Sequence, residues 1–217
     1  MCACMCACAA PTVELFSLLP RALQGNIGAG KSTVLNHLRA AFPAAEVFPE
    51  PVHEWADVLP LFYAKPAEWA LAFSLRVLLS FAKIKDSAAA AGGLAIVERS
   101  PLANRHVFTQ LLYNDNTMNR EEWELFKEYS DELGWTPDLV VYVHCPTETC
   151  LERVQTRARP GEDAIDIQYL KRIEFQYENM MRYVTCPVVR VDGSGTSPDV
   201  AREVEGVIRD FMSGATL

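Results

Sequence analysis

The chain has 217 residues, half of them apolar and 22% charged, with a formal net charge of −8. That composition suits one packed domain and excludes a chain that stays disordered throughout. No basic stripe stands out, so nucleic acid is not an expected partner. A phosphorylated small molecule is not excluded, because backbone amides and a few Lys or Arg set the field at such a site.

In chain order, the first feature is a run of cysteines: Cys2, Cys4, Cys6 and Cys8, out of seven in all. Alternation is not a zinc spacing. Residues 1–20 therefore read as a low-complexity, unstructured start, and residues 21–217 as the folded unit. Cys145, Cys150 and Cys186 form no framework and read as reduced thiols. The first ten residues lack the basic segment of a secretory signal, and no apolar run is long enough for a bilayer. The cytoplasm is the expected compartment. A mitochondrial presequence is the second reading, weakened because Arg21 is the sole Arg before the glycine loop.

Pro20 disfavours a central strand running through it. Either a strand covers Arg21–Gln24, or this start is atypical. Further on, Ala45–Phe48, Leu94–Val97, Leu139–Val143 and Val188–Val191 read as short buried strands. Helical patterns lie between and after them: Ser32–Ala41, Pro66–Ala91, Leu102–Tyr113, Arg120–Leu133, Thr147–Arg157, Ile167–Tyr183 and Asp199–Met212. Strands alternating with helices predict an α/β fold with a parallel sheet of about five strands covered on both faces. The Pro66–Ala91 helix is apolar nearly all round, which predicts burial on several sides.

Gly25-Asn26-Ile27-Gly28-Ala29-Gly30-Lys31-Ser32 matches the phosphate-loop pattern in full, with Thr33 following. Glycines let the loop curl so that its N–H groups face phosphate, and the next helix adds its positive end. Lys31 suits the β- and γ-phosphates, and the Ser32 hydroxyl suits Mg²⁺. The loop alone does not distinguish a kinase from other nucleotide hydrolases.

Three more motifs narrow the reading. Glu50-Pro51-Val52 follows one strand, with Trp55 just beyond, and Glu98-Arg99-Ser100 follows another. Both lie where ligands bind in open α/β sheets. Arg153, Arg157 and Arg159 end a helix that runs into Pro160-Gly161, an Arg-rich lid suited to phosphoryl transfer.

Together these motifs resemble the deoxynucleoside kinases, from about Gly25 to Tyr183. The resemblance implies a P-loop NTPase fold that moves the γ-phosphate of ATP to the 5′-hydroxyl of a deoxynucleoside, for nucleotide salvage. It implies Glu50 as general base, Arg99 holding Glu50 and the 5′-hydroxyl, and Glu98 with Ser32 as the Mg²⁺ site. It also implies that Arg153, Arg157 and Arg159 clamp the donor. Tyr63 and Glu162 would share the 3′-hydroxyl, and Trp55 and Phe108 would flank the base. Relatives also pair into homodimers through their helices.

Two departures stand out. Relatives carry Phe-Gln in the long helix, where this chain has Phe73-Ser74. Ser lacks the reach and the paired donor and acceptor of a Gln amide. Either water bridges the gap, or Arg76 or Asn104 takes over. Asn104 and Phe81 replace a charged pair that deoxycytidine kinase uses to read cytosine, which points to thymidine-like or relaxed specificity. Gln24 stands where relatives tend to have Glu, with little expected effect. The competing readings are a thymidylate-like monophosphate kinase, which needs a further basic group for the acceptor's phosphate, and a non-catalytic structural subunit, disfavoured by the presence of all five of Lys31, Ser32, Glu50, Glu98 and Arg99.

Overall fold

The computed structural model describes residues 19–159, 162 and 165–215. The cysteine run and the Pro160-Gly161 turn lie outside the described residues. Five parallel strands form one sheet in the order β2-β3-β1-β4-β5. They are β1 (Arg21–Gln24), β2 (Glu46–Phe48), β3 (Ala95–Glu98), β4 (Leu139–His144) and β5 (Val188–Asp192).

The question left open at Pro20 is answered by register. Arg21 pairs with both Ile96 and Leu139, so β1 is central and starts one residue after the proline. Pro20 needs no donor there, and its carbonyl accepts from Asp138 N at 3.2 Å. Side chains alternate across the pleat. Leu23, Ile96, Val141 and Val143 face one layer, formed by α1 (Lys31–Ala41) and the C-terminal helix Ser197–Met212. Ala22 and Val97 face the other layer, with Val77, Phe81 and Ile84 of the long helix Pro66–Ala91. Val140 and Tyr142 also face it, with Ile173, Tyr177 and Met180 of the helix Ile167–Tyr183.

In chain order the remaining helices are α2 (Leu59–Ala64), α3 (Pro66–Ala91), α4 (Pro101–Ala103), α5 (Gln110–Asn114), α6 (Arg120–Leu133), α7 (Thr147–Arg157), α8 (Ile167–Tyr183) and α9 (Ser197–Met212). Helix α6 opens on a reciprocal Asn119–Glu122 capping box. The expected helix Leu102–Tyr113 is instead α4 and α5 joined by a π-helical stretch, Asn104–Thr109. Such widened turns concentrate at functional sites. Helix α2 and a 3-10 turn at Val52–Trp55 were not expected, because both are too short to show a period. Among the described residues, no helix is long and apolar enough to cross a membrane.

Candidate active site

The phosphate loop joins β1 to α1 and is held by backbone contacts at both ends. A Cβ on Gly25 would meet Val143 O at 2.4 Å, and one on Gly28 would meet Cys150 O at 2.3 Å. Gly28 also has φ 82°, so a side chain there is excluded twice. Asn26 is buried and braces the loop: its Nδ2 donates to Leu170 O of α8 at 2.9 Å, and its Oδ1 accepts from Ile27 N at 2.8 Å. Ala29 is buried in the core below, and Thr33 N closes the first helical turn onto Gly30 O at 3.0 Å.

Lys31 is almost fully buried and donates from Nζ to Asn26 O at 2.8 Å. Burial, and then the Arg99 charge, lower its pKa to about 8, against the opposing pull of Glu98 and Glu50. The Ser32 hydroxyl lies 3.0 Å from each Glu98 carboxylate oxygen. Two hard oxygen ligands from separate elements thus meet at the loop, which is the donor chemistry that Mg²⁺ takes.

The strand ends β2 and β3 deliver the second half. Glu50 Oε1 lies 2.8 Å from Arg99 Nε. That N–H is not aligned for a hydrogen bond, so the contact is an ion pair. Arg99 is 5% exposed and has φ 65°, a left-handed conformation costing about 1–3 kcal/mol in a residue with a Cβ. Its surroundings over-determine it. Its N–H donates to Leu23 O at 2.8 Å, its Nη1 donates to Tyr177 Oη at 2.6 Å, and its guanidinium lies 4.6 Å from the Phe108 ring centroid. Burial opposes its charge, but Glu50, Tyr177 and Glu98 together raise its pKa above the ordinary value.

Beyond Arg99 lies an aromatic and neutral-polar region. Trp55 is buried, donates from Nε1 to Ser80 Oγ at 3.1 Å, and meets Phe73 edge-on at 5.9 Å. Phe73 in turn stacks on Phe62 at 4.7 Å. Asn104 Nδ2 donates to Ser74 O at 3.1 Å, and Thr109 Oγ1 lies 3.1 Å from Ser74 Oγ and 3.2 Å from Asn104 Oδ1. Arg76 instead pairs with Asp57 at 2.8 Å. Of the two substitutes considered for the missing Gln, Asn104 is thus the one beside Ser74. Phe81 is 1% exposed and packs with Trp55, Val77 and Val97.

The lid residues divide. Arg153 lies beside Gly30 and donates from Nη1 to Gly193 O at 3.2 Å, with Cys145 Sγ at 3.5 Å. Arg157 makes a bidentate pair with Glu162, at 2.8 Å from Nε and 2.5 Å from Nη2. Arg159 is exposed and accepts at its carbonyl from Glu162 N at 3.1 Å. Tyr63 is 56% exposed, and its hydroxyl pKa is raised by partial burial and then by the charges of Glu162 and Glu50.

Sequence reasoning missed Tyr169 and Tyr177 on α8, Thr109, and the role of Gln24. Tyr169 is partly buried, and burial raises its pKa against the opposing pull of Arg99. Gln24 is wholly buried and donates from Nε2 to Ser100 Oγ at 2.7 Å, directly beside Arg99. The available signal was the pair of tyrosines within the apolar face of α8, since a buried phenol hydroxyl needs a partner.

This geometry agrees with comparisons to known proteins. The Deoxynucleoside kinase family profile matches residues 22–213. The chain is 26% identical to Deoxycytidine kinase of Homo sapiens, over 88% of this chain and 90% of that protein. It is 28% identical to Deoxycytidine kinase 1 of Xenopus laevis, over 88% and 89% of the two chains. It is 31% identical to "Putative kinase protein 029R" of Invertebrate iridescent virus 3, over 72% and 79%. With a phosphate loop, a strand-end ion pair and a five-stranded parallel sheet all inside the matched span, the chain belongs to the deoxynucleoside kinase family.

Proposed function

We propose that this chain moves the γ-phosphate of ATP to the 5′-hydroxyl of a deoxynucleoside. The observation that carries this reading is the Glu50–Arg99 ion pair at 2.8 Å, set beside the buried Lys31 of the phosphate loop. Glu50 accepts the 5′-hydroxyl proton as that oxygen bonds to the γ-phosphorus. The bond from phosphorus to the β–γ bridging oxygen breaks, and ADP leaves with the electron pair. Lys31 and the loop amides offset the charge on the transferred group. Arg99 keeps Glu50 aimed, with Phe108 under its guanidinium. Ser32 and Glu98 would hold Mg²⁺, which when bound supplies charge neutralisation across the β- and γ-phosphates.

Trp55, Phe108 and Phe81 form or back the apolar slot for the base, and Ser74 and Asn104 face its edge. Tyr63 and Glu162 take the 3′-hydroxyl. When donor phosphates arrive, Arg157 exchanges its Glu162 partner for phosphate oxygens, alongside Arg153 and Arg159. This exchange frees Glu162 for the sugar. A homodimer and a reducing, cytoplasmic setting are carried as further proposals; the first is tested by light scattering of the purified protein.

The deciding experiment is a phosphorylation assay with ATP and Mg²⁺ on the four deoxynucleosides and thymidine monophosphate. Nucleosides should be phosphorylated and the monophosphate should not. Glu50→Gln should keep ATP binding and lower turnover by ~10²–10⁴-fold. Unchanged turnover removes Glu50 from the chemistry, and activity on the monophosphate alone replaces the reading with a monophosphate kinase.

A further inference from the structure

Glu50 holds one part of the Arg99 guanidinium. Another part is held by a group that the mechanism above does not use. Arg99 Nη1 donates to the phenol oxygen of Tyr177 at 2.6 Å.

The ring that carries this oxygen has little freedom. Tyr177 is wholly buried, and it stacks on Tyr142 with centroids 5.7 Å apart and planes 24° apart. Ala103, Val107, Val140, Ile173 and Met180 complete its surroundings. Burial pushes its pKa up to about 12, against the pull of Arg99 and the Gly25 amide, so the group stays a neutral phenol near pH 7. A neutral phenol has two lone pairs to accept N–H groups.

Helix α8 is itself tied to the loop. Asn26 Nδ2 donates to Leu170 O at 2.9 Å. Leu170 and Tyr177 are two turns apart on one helical face. A buried tyrosine that merely satisfies its hydroxyl needs one partner from anywhere in the core. This one takes Arg99 of the reaction centre as its partner, from a helix that also holds the phosphate loop. Arg99 also has the greater need, since its left-handed backbone is sustained only by what surrounds it.

We infer that Tyr177 is a positioning residue whose hydroxyl ties the Glu50–Arg99 pair to α8, and through the Asn26–Leu170 contact to the phosphate loop, so that donor binding aligns the acceptor's base. The inference rests on the function proposed above. It extends that function from two adjacent half-sites to one linked site. Occupancy of the loop by donor phosphates restrains Asn26. Asn26 restrains α8 at Leu170, and α8 restrains Arg99 through the phenol. Linkage then requires that nucleoside bind more tightly when the donor site is filled.

Calorimetry of deoxynucleoside binding, with and without a non-hydrolysable ATP analogue, tests this on the intact wild-type protein. Affinity should rise about fivefold or more with the analogue present. Equal affinities overturn the inference without any variant. Tyr177→Phe keeps the ring and deletes the hydroxyl. It should lower kcat about tenfold, bring the affinity ratio close to one, and raise the nucleoside KM at saturating ATP by about the lost ratio. Tyr142→Phe is the matched control, a hydroxyl deletion on the stacking partner that does not touch Arg99. It should leave kcat and the affinity ratio unchanged. Equal losses in both variants, or wild-type kcat and coupling in Tyr177→Phe, overturn the role. A wild-type protein that phosphorylates no nucleoside defeats the parent reading instead, and the assay detects that separately.

Discussion

At the phosphate end of the site, Lys31, Glu50, Glu98 and Arg99 bring alternating charges into a largely buried space. At the base end, Ser74, Asn104 and Thr109 are equally buried and carry none. The charged end is locked from every side: Arg99 alone has Glu50, Tyr177, Phe108 and Leu23 O as partners. The neutral end satisfies itself through a small set of hydrogen bonds among its own members. Burying a charge costs several kcal/mol unless it is paired and hydrogen-bonded, so the phosphate end has few alternative arrangements. A buried hydroxyl costs about 1–3 kcal/mol if orphaned, so the base end tolerates exchange. On the proposed function, chemistry is held constant at one end, while substrate preference is left open to change at the other.

The sharpest way to break this contrast is at Lys31. Lys31→Met removes the buried cation and should lower kcat/KM by about 10³-fold, as loss of a preorganised transition-state contact does. Steady-state kinetics read it directly. Next is Gly28→Ala, which places a Cβ against Cys150 O at φ 82°. It should destabilise the protein by about 1–3 kcal/mol, read as a fall in melting temperature, and weaken ATP binding.

A pH series sharpens the same end. The folded, ligand-free Lys31 titrates at about 8, and phosphate binding favours its charged form. Nucleotide binding should therefore take up a proton above pH 8, and affinity should fall as pH rises, approaching tenfold per unit once Lys31 is mostly neutral. Calorimetry in buffers of different ionisation enthalpy counts the proton. Affinity that is flat from pH 7 to pH 9.5 would contradict the burial argument. The smallest effect belongs to the base end. Thr109→Val takes a partner from Ser74 and Asn104 and should cost about 1–2 kcal/mol of stability. Turnover should survive, and the ranking of nucleosides should change.

Much of this was legible in the residues. The four later strands and the helices Arg120–Leu133, Thr147–Arg157 and Ile167–Tyr183 were expected close to where they lie, because buried strands and amphipathic helices carry their period on the surface of the sequence. The phosphate loop is nearly self-declaring, since its glycines, Lys31 and Ser32 act through local backbone geometry. The short segments Val52–Trp55 and Leu59–Ala64 were not legible, and neither was the widened turn at Asn104–Thr109. Each is too brief for periodicity and is held by neighbours distant in the chain.

The sequence by itself determined the layered α/β plan, the phosphate loop, and the presence of Glu50, Glu98 and Arg99 after successive strands. These depend on local patterns, or on motifs whose spacing is set by one strand and one turn. Only the tertiary structure decided that β1 is central despite Pro20, and that Arg157 rests on Glu162. It also decided that Gln24 reaches Ser100, and that Tyr177, 78 residues beyond Arg99, holds its guanidinium. Contacts at such separations form when the sheet closes its order and the helices pack on it, and no short window of residues contains both partners.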